Sequence, residues 1–154
     1  MKDFVNVGLL GAGTVGGGVL KVLEKNAEKI AKEVGKPVRI TKVLDRHVDS
    51  LKQEYGDKYI FTDNADEVLE DKDIDIIVEL LGREYPAKEF IARAFANGKH
   101  VVTANKDVLA KFGSELFPLA HEHNCDFMFE ASVCGGIPII GPLKTSMAAN
   151  QITS

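Results

Sequence analysis

The sequence predicts an α/β fold: a doubly wound, mostly parallel sheet with helices on both faces. Three observations predict it. Short β-prone apolar runs alternate with longer stretches of helical periodicity, the order expected of parallel strands joined by crossover helices. The runs Val5–Leu10 and 74–78 are nearly continuous in apolar residues, as in strands covered on both faces. A glycine-rich turn, Gly11-Ala12-Gly13-Thr14-Val15-Gly16, stands where the first run passes into the first helical stretch.

Val5–Leu10 is the first strand. Val15, Val19, Val22, Leu23, Ala27, Ile30, Ala31 and Val34 then recur at helical spacing and predict one long helix. Gly35-Lys36-Pro37 stops it, because proline cannot continue a helix and disfavours helix in the residue before it. Val38–Leu44 is the second strand. Residues 64–70 predict a short helix with Asn64 as its cap. Residues 74–78 form a buried strand and 87–97 a helix, with Gly98 placed for a left-handed C-terminal cap. His100–Thr103 is a strand, 107–123 a helix and 127–130 a further strand. A last helix starts at Pro138 or Ile139 and runs towards Ala149. No internal repeat, low-complexity tract or linker interrupts this order. The chain ends on the polar, β-prone Gln151-Ile152-Thr153-Ser154 without a closing element, which predicts one domain cut from a longer chain.

Composition narrows the function classes. A chain of 154 residues buries a core without disulfide or metal staples. Its 45% hydrophobic and 27% charged residues are ordinary for a soluble globular domain. A net charge of −4 with no basic run argues against a nucleic-acid surface, which needs a clustered positive field. No segment approaches the roughly 18 apolar residues of a membrane span, and the N-terminus lacks a signal peptide's apolar region and cleavage site. A cytoplasmic location is expected. Cys125 and Cys134 match neither a redox pair nor a zinc site, and read as two thiols in a reducing compartment. His121, His123 and Cys125 form a tempting string. On a helix, however, His123 points away from the other two, so a metal site is not expected there.

The glycine turn carries the chemistry. Following an apolar strand and opening an amphipathic helix, a GxGxxG turn matches the dinucleotide-binding, Rossmann-type arrangement. Gly11 allows the tight turn, Gly13 the approach of a pyrophosphate, and Gly16 close packing of helix on strand. The helix N-terminus offers free N–H groups and a positive dipole end to the phosphates. The competing reading is a tight turn that binds nothing. Gly17 and Gly18 tell against it: in the first helical turn each costs about 1 kcal/mol relative to alanine. At the end of the second strand, Asp45 is placed to accept from the ribose diol and favours NAD. Arg46 is placed to hold a 2′-phosphate and favours NADP. Sequence leaves the choice between the two cofactors open.

Further along, the residues resemble those of the homoserine dehydrogenase family. The resemblance rests on four runs in the family's order. They are Gly8-Leu9-Leu10-Gly11-Ala12-Gly13-Thr14-Val15-Gly16, Glu79-Leu80-Leu81-Gly82, Gly98-Lys99-His100-Val101-Val102-Thr103-Ala104-Asn105-Lys106, and Glu130-Ala131-Ser132-Val133-Cys134-Gly135-Gly136-Ile137-Pro138-Ile139. The resemblance implies an NAD(P)-dependent oxidoreductase interconverting L-aspartate 4-semialdehyde and L-homoserine, on the route to threonine, methionine and isoleucine. It also implies a following substrate-binding and dimerising domain, hence a homodimer.

By the same resemblance Lys106 is the catalytic residue of this chain, acting with groups beyond Ser154. An ammonium beside an aldehyde stabilises the charge that grows on its oxygen, or supplies the proton. A solvated lysine near a helix start is the plainer alternative. Leu81, Gly82 and Thr103 fall at the cofactor, with Thr103 and Asn105 read as capping or cofactor-edge groups. The Glu130 loop resembles a sodium site, using the Glu130 carboxylate or main-chain oxygen and the carbonyls of Val133, Gly135 and Ile137. Hard cations take oxygen ligands; sequence alone reads a strand-to-helix loop there. Two departures stand out. Arg83 occupies a position where many members carry a second glycine, and Cys134 replaces a small residue. Two rival readings are a non-enzymatic NAD(P)-sensing module, which has no need of the Lys106 and Glu130 runs, and another amino-acid or semialdehyde dehydrogenase.

Overall fold

The computed structural model describes residues 2–145. Six strands form one sheet: β1 (Val5–Leu10), β2 (Val38–Leu44), β3 (Ile60–Thr62), β4 (Ile76–Glu79), β5 (His100–Thr103) and β6 (Phe127–Met128). Their order is β3-β2-β1-β4-β5-β6 and every pairing is parallel. The helices are α1 (Thr14–Lys25), α2 (Ala27–Val34), α3 (Val48–Tyr55), α4 (Asp66–Leu69), α5 (Ala87–Ala96), α6 (Lys106–Glu122) and α7 (Ile140–Thr145). This is the doubly wound fold that the alternating sequence predicts, with strand order reversing between β1 and β4.

Strand periodicity sorts the core into two layers. Val7 and Leu9 of β1 face one side and pack with Leu20 of α1, Leu51 of α3, Ile40, Val43 and Phe61. Leu10 faces the other, with Val68 and Leu69 of α4, Ile91 and Phe95 of α5, and Val108, Leu116 and Ala120 of α6. Both faces of β1 are therefore covered, which is why its sequence is apolar throughout.

Several elements differ from expectation. The single helix predicted over 15–34 is two helices. At Asn26 (φ −114°, ψ 17°) both the backbone N–H and the side-chain amide donate to Val22 O, at 3.0 and 2.9 Å, and the helix path bends there. The strand predicted over 74–78 begins at Ile76. Ahead of it, Lys99 Nζ donates to the carbonyls of Asp71 and Ile74, and the Asp75 carboxylate accepts the Asn6 N–H. The strand predicted over 127–130 is shorter, because Glu130–Ser132 turns as a single 3₁₀ turn. Residues 48–62 carry a helix and an edge strand that periodicity did not predict. Asn64 does act at the start of the short helix, its Oδ1 accepting the Asp66 N–H at 3.0 Å, and Gly98 is left-handed at φ 69°. The last helix is present over Ile140–Thr145; its expected continuation to 149 lies outside the described residues.

Candidate functional site

The carboxyl ends of β1, β2, β4 and β5 surround one crevice, at the point where the strand order reverses. Open α/β sheets bind ligands at this point. Its floor is the glycine turn. Gly11 takes φ 93°, and a Cβ there would stand 2.9 Å from Leu80 O. Its N–H donates to Leu44 O at 2.8 Å, and Leu80 N–H donates to Leu10 O at 2.8 Å. The turn is thus tied to the ends of β2 and β4 at once. At Gly16 a Cβ would lie only 2.0 Å from Gly11 O, so α1 rests directly on the turn.

Above this floor the backbone is open. A Cβ at Gly13 would meet nothing within 4 Å, and Gly13, Thr14 and Val15 are exposed. Among the described residues, the N–H groups of Gly13, Thr14, Val15 and Gly16 donate to no protein acceptor, and no side chain caps α1. Four unpaired donors at a helix N-terminus, with open space at Gly13, suit an anion such as a pyrophosphate.

Asp45 does more than the sequence suggested. Its Oδ2 accepts the Ala12 N–H at 2.8 Å, and its Oδ1 accepts the His47 N–H at 2.9 Å and lies 3.1 Å from His47 Nδ1. Burial alone raises this carboxyl's pKa, but the Ala12 and His47 donors outweigh it and hold the group below the usual aspartate range. The carboxylate therefore braces the glycine turn from β2. Arg46 is exposed beside it. Beyond Arg46 lies an open groove of about 640 Å³ lined by His47, Ser50, Lys52, Thr62 and Asp63, among others.

On the β4–β5 side, Leu81 and Thr103 are brought together by Glu79, a residue of the second family-like run to which the sequence assigns no role. Glu79 is fully buried. Its Oε1 accepts the Leu81 N–H at 2.8 Å and its Oε2 accepts the Thr103 hydroxyl at 2.6 Å. Asn105 donates its Nδ2 to Arg83 O at 2.8 Å and to Glu79 Oε1 at 3.4 Å, while its Oδ1 accepts the Val108 N–H as the cap of α6. The signal in the sequence was a carboxylate closing an apolar strand, with hydroxyl and amide residues closing the next. Lys106 follows at the first position of α6 and is exposed. Among the described residues, the nearby ion pairs join Lys88 to Glu115 and Lys111 to Glu84, leaving Lys106 without an acidic partner. Gly82 is exposed at φ 69° in the loop between Leu81 and Arg83.

The loop from Glu130 follows β6 at the carboxyl edge of the sheet, where its 3₁₀ turn packs beside β5. The Glu130 carboxylate accepts the N–H groups of Ile139, Ile140 and Gly141 at 2.5–2.9 Å. Burial raises its pKa, and those three donors more than offset this and hold it low. Cys134 and Gly135 are left-handed, at φ 58° and 55°, and fold the segment back. Among the described residues, the carbonyls of Val133, Gly135 and Ile137 accept no backbone hydrogen bond. Carbonyls of this kind are the oxygens that a hard cation takes. Both oxygen types of Glu130, by contrast, are engaged within the protein, the carboxylate by the three N–H groups and the main-chain oxygen by the Val133 N–H at 3.3 Å. Among the described residues no helix is long and apolar enough to cross a membrane.

Comparison with known proteins converges on one family. Residues 11–130 match the family model described as the NAD-binding domain of homoserine dehydrogenase. The homoserine dehydrogenase of Neisseria gonorrhoeae is 47% identical over 150 residues, covering 97% of this chain and 34% of that protein. A crystal structure of a homoserine dehydrogenase from Thiobacillus denitrificans superposes with a TM-score of 0.91 at 46% identity, over 97% of this chain and 34% of that one. A hyperthermophilic archaeal homoserine dehydrogenase in complex with NADPH gives a TM-score of 0.75 at 27% identity, over 91% of this chain and 48% of that one. The chain spans about a third of the length of the curated relatives it matches.

Proposed function

The chain belongs to the homoserine dehydrogenase family and forms its NAD-binding domain, and from that premise we propose that it serves the NADP- or NAD-dependent interconversion of L-aspartate 4-semialdehyde and L-homoserine. In this reading the domain works with a substrate-binding and dimerising region, as a cytoplasmic homodimer, on the route to threonine, methionine and isoleucine. The observation that carries it is the cradle at the start of α1, where four unpaired N–H groups stand over a turn that has no room for a side chain at Gly11 or Gly16.

Gly11 to Gly16 hold the pyrophosphate. Asp45 and Arg46 flank the adenosine ribose, and the groove beyond them takes that end of the cofactor. Leu81, Gly82 and Thr103 shape the nicotinamide half. The bound nicotinamide supplies or accepts the hydride. Lys106, at the start of α6 just beyond β5, holds its ammonium at the substrate carbonyl, where it stabilises the developing alkoxide or delivers the proton. The carbonyls of Val133, Gly135 and Ile137 hold a sodium ion in a structural role, which their freedom from backbone hydrogen bonds supports; Glu130, expected as a further ligand, instead closes the loop through its three N–H contacts.

Titration of the purified protein with NADH and NADPH, repeated with Asp45→Ala and Arg46→Ala, tests the reading. Saturable binding is expected, with Arg46→Ala weakening NADPH alone. Asp45→Ala should weaken both cofactors, because it also releases the Ala12 N–H. Failure of the full-length enzyme to bind either cofactor rejects the reading.

A further inference from the structure

We propose that Glu79 is a positioning residue that fixes Lys106 for the reaction; the proposal rests on the reading of Lys106 given above. Glu79 and Thr103 are register partners at the ends of the adjacent parallel strands β4 and β5, and both side chains are buried. A buried carboxylate is stable only when its oxygens are satisfied. Here the donors come from the segments that meet at the crevice. Leu81 N–H belongs to the loop after β4, the Thr103 hydroxyl to the last residue of β5, and the Asn105 amide to the turn that follows it.

The chain of contacts continues to Lys106 without a gap. Thr103 Oγ1 accepts the Asn105 N–H at 2.9 Å while giving its own proton to Glu79. The Asn105 side chain is then held at both ends, by Arg83 O on one loop and by the Val108 N–H in the first turn of α6. Lys106 is the next residue. Its Cα is therefore fixed by a network whose rigid anchor is the Glu79 carboxylate, set in β4 and sealed from solvent. Neutral side chains alone would not organise both loops, since a carboxylate accepts several donors and strengthens each of these bonds by its charge. Glu79 does not touch substrate; it acts through Lys106.

A double-mutant cycle in the full-length enzyme tests this. Glu79→Gln keeps the shape but replaces an acceptor oxygen with a donor, so the loops shift. A misplacement of about 1 Å at a reacting group lowers turnover by about tenfold to a hundredfold. We expect Glu79→Gln to lower kcat by about that factor while the cofactor dissociation constant changes by less than about threefold. In the Lys106→Ala background, Glu79→Gln should change kcat by less than about twofold, because the group it positions is gone. Equal fold losses in both backgrounds would overturn the proposal and make Glu79 a structural residue only. If Glu79→Gln does not fold, Thr103→Val, which deletes one link of the network and keeps the side-chain shape, is read in the same cycle by the kcat comparison in the two backgrounds alone, since Thr103 itself borders the nicotinamide half. If Lys106→Ala itself leaves kcat unchanged, the Lys106 assignment fails and this proposal with it. Loss of turnover in Lys106→Ala combined with independent losses at Glu79 refutes the positioning role alone.

Discussion

Gly16→Ala should damage both folding and cofactor binding, and the contrast with Gly18→Ala isolates the reason. The added methyl at Gly16 would stand 2.0 Å from Gly11 O, whereas ordinary contact begins at 3.4 Å. The start of α1 must therefore withdraw by about 1.4 Å, the difference between these two distances. Overpacking of this kind costs about 1–3 kcal/mol, against which alanine's better helix propensity returns about 1 kcal/mol. Stability should fall by about 0–2 kcal/mol. The same withdrawal carries the free N–H groups of Thr14 and Val15 beyond hydrogen-bond reach of a phosphate held over the turn. Losing even one of these charge-assisted bonds, at about 1.5–3 kcal/mol, weakens binding by at least about tenfold to a hundredfold. At Gly18 a Cβ meets nothing within 4 Å, so Gly18→Ala should gain up to about 1 kcal/mol and leave affinity unchanged. Urea unfolding and cofactor titration of both variants supply the measurements. A Gly16→Ala protein with wild-type midpoint and affinity would refute the steric argument.

Other expectations follow from the same geometry. Lys106→Ala in the full-length enzyme should lower kcat far more than it weakens cofactor binding; equal losses would assign Lys106 to binding. Asp45 has a lowered folded pKa, so its contribution to stability is full above the usual aspartate value of 3.8 and lost as pH falls through the lower folded value. The stability gap between wild type and Asp45→Asn should accordingly close on acidification, and a gap that is constant from about pH 7 to about pH 2 would contradict this. Removing sodium should lower the thermal midpoint of the wild type but not of a variant shortened in the 133–137 loop; an equal response in both argues against the ion site.

Most of the doubly wound frame was legible because its strands are buried on both faces and its glycine turn has a single workable geometry. The elements that escaped are those that carry little pattern. α3 buries only Leu51, and β3 is three residues long at the sheet edge, too short for an alternation signal. β3 is held by its pairing with β2 and by the cluster of Tyr55, Tyr59 and Phe61, whose ring centroids lie 5.9–6.2 Å apart. The break at Asn26 was hidden by apolar residues whose spacing survives across two consecutive helices. At the site, motif and position were enough to place the glycine turn and the ends of β4 and β5 at one sheet edge. The bracing role of Glu79 was not legible. A carboxylate buried under two loops is indistinguishable in sequence from one in water until the donors from neighbouring strands are placed around it.

The bond from Asp45 to the Ala12 N–H makes the end of β2 and the glycine turn a single mechanical unit. Redesign of nucleotide preference is constrained by this linkage. Exchanging the acidic residue to admit a bulkier, charged ribose also unhooks the turn, so affinity for every dinucleotide suffers before selectivity improves. The tolerant position is the exposed Arg46, whose side chain makes no hydrogen bond or ion pair with the carboxylate and can be altered while Asp45 stays in place. Selection for a new cofactor in this scaffold should therefore accumulate changes around Asp45 and leave Asp45 itself untouched.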